Sequence, residues 1–363
     1  MGTKISSAIP QPFSHYSGAH LSPEMLMKLA IDAARQGVRG ANPLVGAVIS
    51  DASGQVLSVG WHRGAGTPHA EADALARAQA AGIDIRGTHM SISLEPCNHT
   101  GRTEPCAQAI GDAEISSVSF AAPDTTANAA GGAEYLRSHG VSAEPGMLQE
   151  PAQDLNHRWF AATAQQRPFV SAKIASSLDG LVAAADGTSQ WITSPHARKA
   201  GHDMRMRADA VMVGTGTVLA DNPRLTARDT HGKLYAQQPL PVIMGQRDIP
   251  ENFYLAQNPA TLHLRTHNPR EVLTELYSRG VRHLMIEGGP SIISAFLAAD
   301  LVDELLWLQA PTLLGAGTSA IGNLGITTLA EAQQWELDDL GAMPAISRAG
   351  RDVQLHLAPQ PQR

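Results

Sequence analysis

The stretches Thr67-Pro68-His69-Ala70-Glu71 and Glu95-Pro96-Cys97-Asn98-His99-Thr100-Gly101-Arg102-Thr103-Glu104-Pro105-Cys106 bring together an imidazole, a carboxyl and two thiols. One imidazole and two thiolates make a tripod for zinc that leaves a fourth position open for water. Glu71, two residues on from His69, is placed to take a proton from that water and pass it to a leaving amine. Cys106 falls at the start of a predicted helix, where the helix dipole favours a thiolate. A closed structural zinc site is the competing reading. It needs a fourth ligand, for which His62 and His99 are at hand, but neither explains a His-x-Glu at a helix start.

Outward from these segments, the 363 residues include only these two cysteines, too few for a disulfide framework. The length predicts two domains. Hydrophobic residues at 43% and charged residues at 17% describe a folded, soluble protein. A net charge of -7 and 4% aromatics provide no basic, stacking face for nucleic acid. The longest apolar candidate, 292–314, is interrupted by Asp300, Asp303 and Glu304, which predicts no membrane span. Residues 1–22 lack the apolar run of a secretory signal and read as a flexible tail of a cytoplasmic protein.

Ser22-Pro23-Glu24 opens a helix to Gln36. Strands follow over 44–50, 56–60, 89–94 and 116–121, with helices over 68–80, from Pro105, and over 133–139, an α/β sandwich filling 23–150. The Gln- and Ala-rich stretch 151–167 reads as a linker. Beyond it, strands over 169–174, 210–214, 242–245, 260–265, 283–287 and 304–310 alternate with helices over 195–207, 269–279 and 290–299. This predicts a largely parallel sheet within a second domain, 168–363. Here Glu287-Gly288-Gly289-Pro290 places glycines between a strand and a helix, where backbone amides can approach phosphate. It is not a dinucleotide fingerprint, so ordinary turns remain an open reading.

The His-x-Glu…Pro-Cys…Cys arrangement matches the zinc deaminase signature, in which the Glu is acid and base but not a ligand. Common deaminases separate the cysteines by two residues, whereas here 98–105 intervene. That expanded loop, with Lys173-Ile174-Ala175-Ser176-Ser177-Leu178-Asp179-Gly180, Trp191-Ile192-Thr193 and Gly216-Thr217-Val218-Leu219-Ala220-Asp221-Asn222-Pro223, resembles the bifunctional deaminase/reductases of riboflavin biosynthesis. The resemblance runs from about Ser22 to His356. It implies a cytidine-deaminase-like three-layer domain followed by a dihydrofolate-reductase-like α/β domain, zinc and NADPH as cofactors, a pyrimidine ribosyl phosphate as substrate, and a homo-oligomer.

The resemblance also implies site residues. Asn42, His62, His99, Arg102 and Asp124 would line the deaminase substrate site, although Thr126 stands where the family carries an amide. Lys173, Ser189, Thr193, Arg205, Leu225, Arg228 and Glu287 would face the ribosyl phosphate in the second domain, with the two arginines suited to its phosphate. Ala175, Trp191, Thr217, Asp221, Gly289, Pro290, Ser291, Ile292, Ile293, Ser294 and Ala295 would face NADPH. Lys173 lies in an apolar strand and needs a counter-charge, for which Asp221 is a candidate. A nucleic-acid editing deaminase with an accessory domain is the rival, and a non-catalytic zinc module would leave Glu71 without a task.

Overall fold

The computed structural model describes residues 7–98, 104–126, 131–338 and 344–360. The chain divides into unit 1, Met1–Phe160, and unit 2, Ala161–Arg363. Unit 1 holds a five-stranded sheet in the order β2-β1-β3-β4-β5, formed by β1 (Gly46–Ser50), β2 (Val56–Trp61), β3 (His89–Leu94), β4 (Ser117–Ala122) and β5 (Ser142–Pro145). β1 runs antiparallel to β2 and β3, whereas β3, β4 and β5 are parallel. The helices are α1 (Pro23–Ala34), α2 (Ala70–Ala80), α3 (Cys106–Asp112), α4 (Gly132–Ser138) and α5 (Gln149–Gln165). Ser22 caps α1 through its side chain, with proline at the first turn, as its sequence predicts.

Two glycines establish the expected three layers. A Cβ on Gly46 would lie 2.1 Å from the Ala30 carbonyl of α1, and one on Gly60 would lie 2.4 Å from the Ala74 amide of α2. Gly60 pairs with Ala47, so it faces the side opposite to Gly46. α1 and α2 therefore cover opposite faces of the sheet, each drawn close by the missing side chain.

Two expectations need correction. The stretch 7–22 is not a free tail: Ala8, Ile9 and Phe13 are buried, and Phe13 meets the Trp61 ring edge-on at 5.9 Å. A few apolar side chains suffice to anchor it. The supposed linker 151–167 is mostly helix α5, because its polar residues satisfy unit 1 backbone. Asn156 accepts the Leu44 amide at 2.8 Å and donates to the Leu44 carbonyl at 2.9 Å, while the Trp159 indole donates to the Ala41 carbonyl at 3.0 Å.

Unit 2 is built on the main strands β6 (Phe169–Ser176), β8 (Ala210–Gly214), β9 (Leu240–Met244), β10 (Leu262–Leu264), β11 (His283–Ile286), β12 (Glu304–Gln309), β14 (Trp335–Leu337), β15 (Ile346–Ala349) and β16 (Asp352–Pro359). Their order is β10-β9-β8-β11-β6-β12-β16-β14, with β15 also on β16. The run from β10 to β12 is parallel, and the rest antiparallel. β7 (Leu181–Ala184) and β13 (Gly317–Ser319) form a separate ribbon. The helices are α6 (Pro195–Arg207), α7 (Thr215–Asp221), α8 (Tyr254–Gln257), α9 (Pro269–Ser278) and α10 (Pro290–Ala298). Along β8, Ala210 and Met212 join one apolar cluster and Val211 and Val213 another, so this strand is buried on both faces. No described helix is long and apolar enough to cross a membrane.

Candidate active sites

In unit 1, His69 is the extended residue capping α2, and its imidazole makes no capping bond. The ring is therefore free to meet the cysteines. Its Nδ1 lies 3.5 Å from Cys97 Sγ and 3.3 Å from Cys106 Sγ, and the three ligand atoms all fall within 4.8 Å of one another. Zn–N and Zn–S bonds of about 2.0 and 2.3 Å at a tetrahedral angle require N···S edges of roughly 3.5 Å, so the residues fit zinc. Cys106 opens α3, and Cys97 follows β3.

The charges in this pocket are coupled. A hydrogen bond from Cys106, with another from His69, brings the Cys97 thiol down to about 4, and the hydrogen bond to Cys97 together with burial raises Cys106. Without metal the pair therefore holds one thiolate, and zinc would displace the remaining proton. The Cys97 thiolate raises the His69 imidazole through a hydrogen bond. Glu71 is buried in the first turn of α2, and burial followed by the Cys97 charge pushes its carboxyl up to about 7. A bound dication would pull it back down, leaving a group able to take and return a proton.

Around the tripod, His62 Nδ1 lies 3.0 Å from the Pro68 carbonyl, which assigns that nitrogen the proton. Nε2 is then an acceptor for the Asn42 amide nitrogen at 3.0 Å, and burial lowers the His62 imidazole towards its neutral form. Asn42 thus keeps its carbonyl oxygen for another donor. The Glu95 carboxylate accepts the amides of Asp124 at 3.3 Å and Ala133 at 3.1 Å, a role that reasoning from sequence did not foresee. Asp124 Oδ1 accepts both the amide and hydroxyl of Thr126, so that hydroxyl is already engaged. His99 and Arg102 lie outside the described residues.

In unit 2 the chain leaves β8 towards β9 on one side, and leaves β11 towards β12 on the other. Adjacent parallel strands whose connections diverge open a crevice at their carboxyl ends, where ligands bind in such sheets. Thr217 and Gly289 meet there, Gly289 donating its amide to Thr217 Oγ1 at 3.1 Å. In the first turn of α10 Pro290 has no N–H, and the Ile292 and Ile293 amides bond the Gly289 carbonyl, so what the helix start offers a phosphate is the Ser291 amide and the positive end of the helix dipole. Pro290, Ser291, Ile292, Ile293, Ser294 and Ala295 form that helix; Ile293 is buried in the apolar core, and Ser294 accepts the Gly322 amide.

Lys173 donates to Glu287 Oε2 at 3.1 Å, so Glu287 and not Asp221 is its counter-charge. Asp221 sits at the end of α7, where burial raises its carboxyl. Arg205 also forks onto Glu287, with a 2.9 Å bond to Oε2, and donates to the Thr226 carbonyl. Burial opposes ionisation of Glu287, but the Arg205 and Lys173 charges overcome it and hold the carboxyl well below its usual range. Arg228 donates to Thr226 Oγ1 and to the Gly232 carbonyl. Leu225 is buried, with φ at 53°. Thr193 is buried and Ser189 half-buried, Trp191 is exposed with the Arg198 guanidinium 4.4 Å from its ring, and Ala175 lies on β6.

Comparison with known proteins places these sites in context. Residues 22–122 match the family model for the cytidine and deoxycytidylate deaminase zinc-binding region, and residues 168–343 match that for the RibD C-terminal domain. The riboflavin biosynthesis protein RibD of Mycobacterium tuberculosis H37Rv is 40% identical over 335 residues, covering 91% of this chain and 96% of the relative. Its Escherichia coli K12 counterpart is 33% identical, covering 92% and 98%. Among solved structures, Acinetobacter baumannii RibD superposes with a TM-score of 0.81 at 33% identity, covering 93% of this chain and 99% of that one. The Thermotoga maritima diaminohydroxyphosphoribosylaminopyrimidine deaminase/5-amino-6-(5-phosphoribosylamino)uracil reductase gives 0.80 at 29%, with the same coverage.

Proposed function

The chain belongs to the RibD family of riboflavin biosynthesis proteins, bifunctional deaminase–reductases, and from that premise we propose that each unit catalyses one of two consecutive steps. Unit 1 hydrolyses the amine of 2,5-diamino-6-(5-phosphoribosylamino)pyrimidin-4(3H)-one. Unit 2 then reduces the ribosyl group to ribityl with NADPH, giving 5-amino-6-(5-phosphoribitylamino)uracil. The observation that carries this reading is the buried, non-ligating Glu71 beside the His69, Cys97 and Cys106 tripod.

Zinc, when bound by the tripod, supplies Lewis-acid activation of water. Glu71 accepts a proton from that water at its carboxylate and returns it to the departing ammonia, while the ring carbon exchanges its C–N bond for C–O. Asn42 offers its carbonyl oxygen to a ring or amino N–H, held in that orientation by His62. We assign Asp124, whose carboxylate accepts the Thr126 amide, to the substrate side of the same reaction.

NADPH, when bound, supplies hydride to the anomeric carbon of the opened imine form. In unit 2, Lys173 orients the sugar oxygens, with Glu287 keeping its ammonium charged and in place. Arg228 is the arginine we assign to the substrate phosphate, because Arg205 is committed to Glu287. Leu225, Ser189 and Thr193 complete the substrate side; Ala175, Trp191, Thr217 and 289–295 complete the cofactor side. We assign the enzyme to the cytoplasm as a homo-oligomer, which its mass in solution tests. The decisive assay incubates purified protein with the diaminopyrimidinone ribosyl phosphate, with and without NADPH, and follows ammonia and NADPH separately. Ammonia release that does not require NADPH, followed by NADPH oxidation, is the expected result; oxidation without prior deamination would reverse the order.

A further inference from the structure

We propose that Asp352 is a positioning residue for reduction: from the tip of the β15–β16 hairpin it fixes the segment 191–194 over the site of unit 2, an inference that rests on the reading of that unit as the reductase. β16 runs antiparallel to β12 and β12 parallel to β6, with Gln309 paired to Val353 on one side and to Ser176 on the other. The hairpin tip therefore lies at the carboxyl ends of the parallel strands, the end at which ligands bind in such sheets. Leu306 likewise pairs with both Lys173 and His356, so Asp352, an even number of residues before His356, shares the Lys173 face. Helix α6 covers that face: a Cβ on Gly201 would lie 3.5 Å from Lys173 Cδ, and Arg205 reaches Glu287.

The tip grips the start of α6 and the residues that lead into it. Asp352 Oδ2 accepts the Ser194 amide at 2.6 Å, the Ala349 carbonyl accepts the Ser194 hydroxyl at 2.8 Å, and Arg351 donates to the Ile192 carbonyl at 3.4 Å. A Cβ on Gly350 would lie 2.8 Å from His196 Nδ1, so hairpin and helix meet with no room between them. Arg198 holds the same segment from the other direction, donating to the Thr193 carbonyl at 3.1 Å with its guanidinium 4.4 Å from the Trp191 ring. Asp352 is fully buried, its Oδ1 accepts no hydrogen bond among the described residues, and its ion pair with Arg351 is long at 3.7 Å. A half-satisfied buried carboxylate is a costly way merely to fasten a loop. What it supplies is a short charge-assisted bond to one amide at the positive end of α6, which fixes where Trp191 and Thr193 stand.

The test measures NADPH-dependent reduction of the deaminated substrate by the unmodified protein and by Asp352→Ala, Asp352→Asn and Arg351→Ala, with ammonia release and the unfolding midpoint of the same preparations. Asp352→Ala should raise KM for the ribosyl substrate and lower kcat together, reducing kcat/KM by about 10-fold to 100-fold, the effect of an ångström-scale displacement of binding groups. Asp352→Asn, whose amide oxygen can still accept the Ser194 N–H, should recover most of that loss. Arg351 is exposed, so Arg351→Ala opens no hole and carries the test if Asp352→Ala does not fold; it should lower kcat/KM by about twofold to tenfold. Deamination, built on a separate core, should be unchanged in all three. Unchanged kcat and KM in the folded variants, whatever the shift in unfolding midpoint, would leave Asp352 a stabilising residue only and overturn the proposal, as would an Asn variant no better than Ala. Either result leaves unit 2 a reductase, whereas absence of reduction by the unmodified protein overturns that reading as well.

Discussion

Glu71 owes its usefulness to what surrounds it: a carboxyl free in water would already have lost its proton, and one bound to the metal could not carry any. Glu71→Gln should therefore retain a full complement of zinc yet lose at least about 100-fold in deamination, the lower end for removal of a general acid–base group. Metal analysis alongside ammonia release checks this, and loss of zinc in that variant would make Glu71 a ligand. Glu287 is the opposite case, a buried carboxylate that neighbouring cations keep ionised. Its folded value lies below its unfolded one, so its contribution is complete above the ordinary glutamate range and disappears as pH falls through the folded value. Glu287→Gln leaves Lys173 and Arg205 facing each other without a counter-ion. A loss of about 3 to 5 kcal/mol at neutral pH is expected, read from denaturant midpoints, and it should narrow only in strong acid.

Helix α5 shows how a polar residue can fasten an element. Asn156 satisfies both backbone groups of Leu44, and Leu44 lies two residues beyond Asn42. Asn156→Ala should cost at least about 2 kcal/mol, since each buried group left unpaired costs roughly 1 to 3. It should weaken deamination more than reduction of the already deaminated substrate, a split that separate half-reaction assays reveal. Nothing in the hydrophobic pattern announces this helix, because its buried face carries Ala152, Asn156 and Ala162 instead of large apolar residues. The same reasoning explains where reading was easy. Ser194-Pro195 and Gly214 bracket α6 and β8 with recognisable caps and turns, and both elements fall at their expected bounds. The short β7 is only half-buried along its length, and β15 and β16 alternate weakly, so they left little periodicity to follow. Within the sites, the zinc residues were legible because ligand chemistry restricts residue type and spacing. Glu95 was not, since it acts through Asp124 and Ala133, partners distant in the sequence.

The whole chain carries its two chemistries on separate cores, one apolar cluster in unit 1 and two flanking the sheet of unit 2. Removing zinc should then act on one unit alone. Cys97→Ser, or chelation of the native protein, should lower a single calorimetric transition and abolish deamination, leaving reduction of the deaminated substrate largely intact. Parallel loss of both activities in folded protein would contradict two independent sites. The strand order of unit 2 also matters before either site exists. β6 is the first strand of its sheet to be synthesised, yet its partners β11 and β12 end about 110 and 130 residues later. At roughly 5 to 20 residues per second, the ribosome takes about 7 to 27 seconds to deliver β12, and β6 meanwhile has both hydrogen-bonding edges open. Unit 1 pairs β1 with its near neighbour β2 and has its last strand by Pro145, so it can fold while that wait continues. Unit 2 is therefore the part of the nascent chain most exposed to aggregation and most dependent on chaperones, and slower translation between β6 and β12 should lower the yield of reductase before that of deaminase.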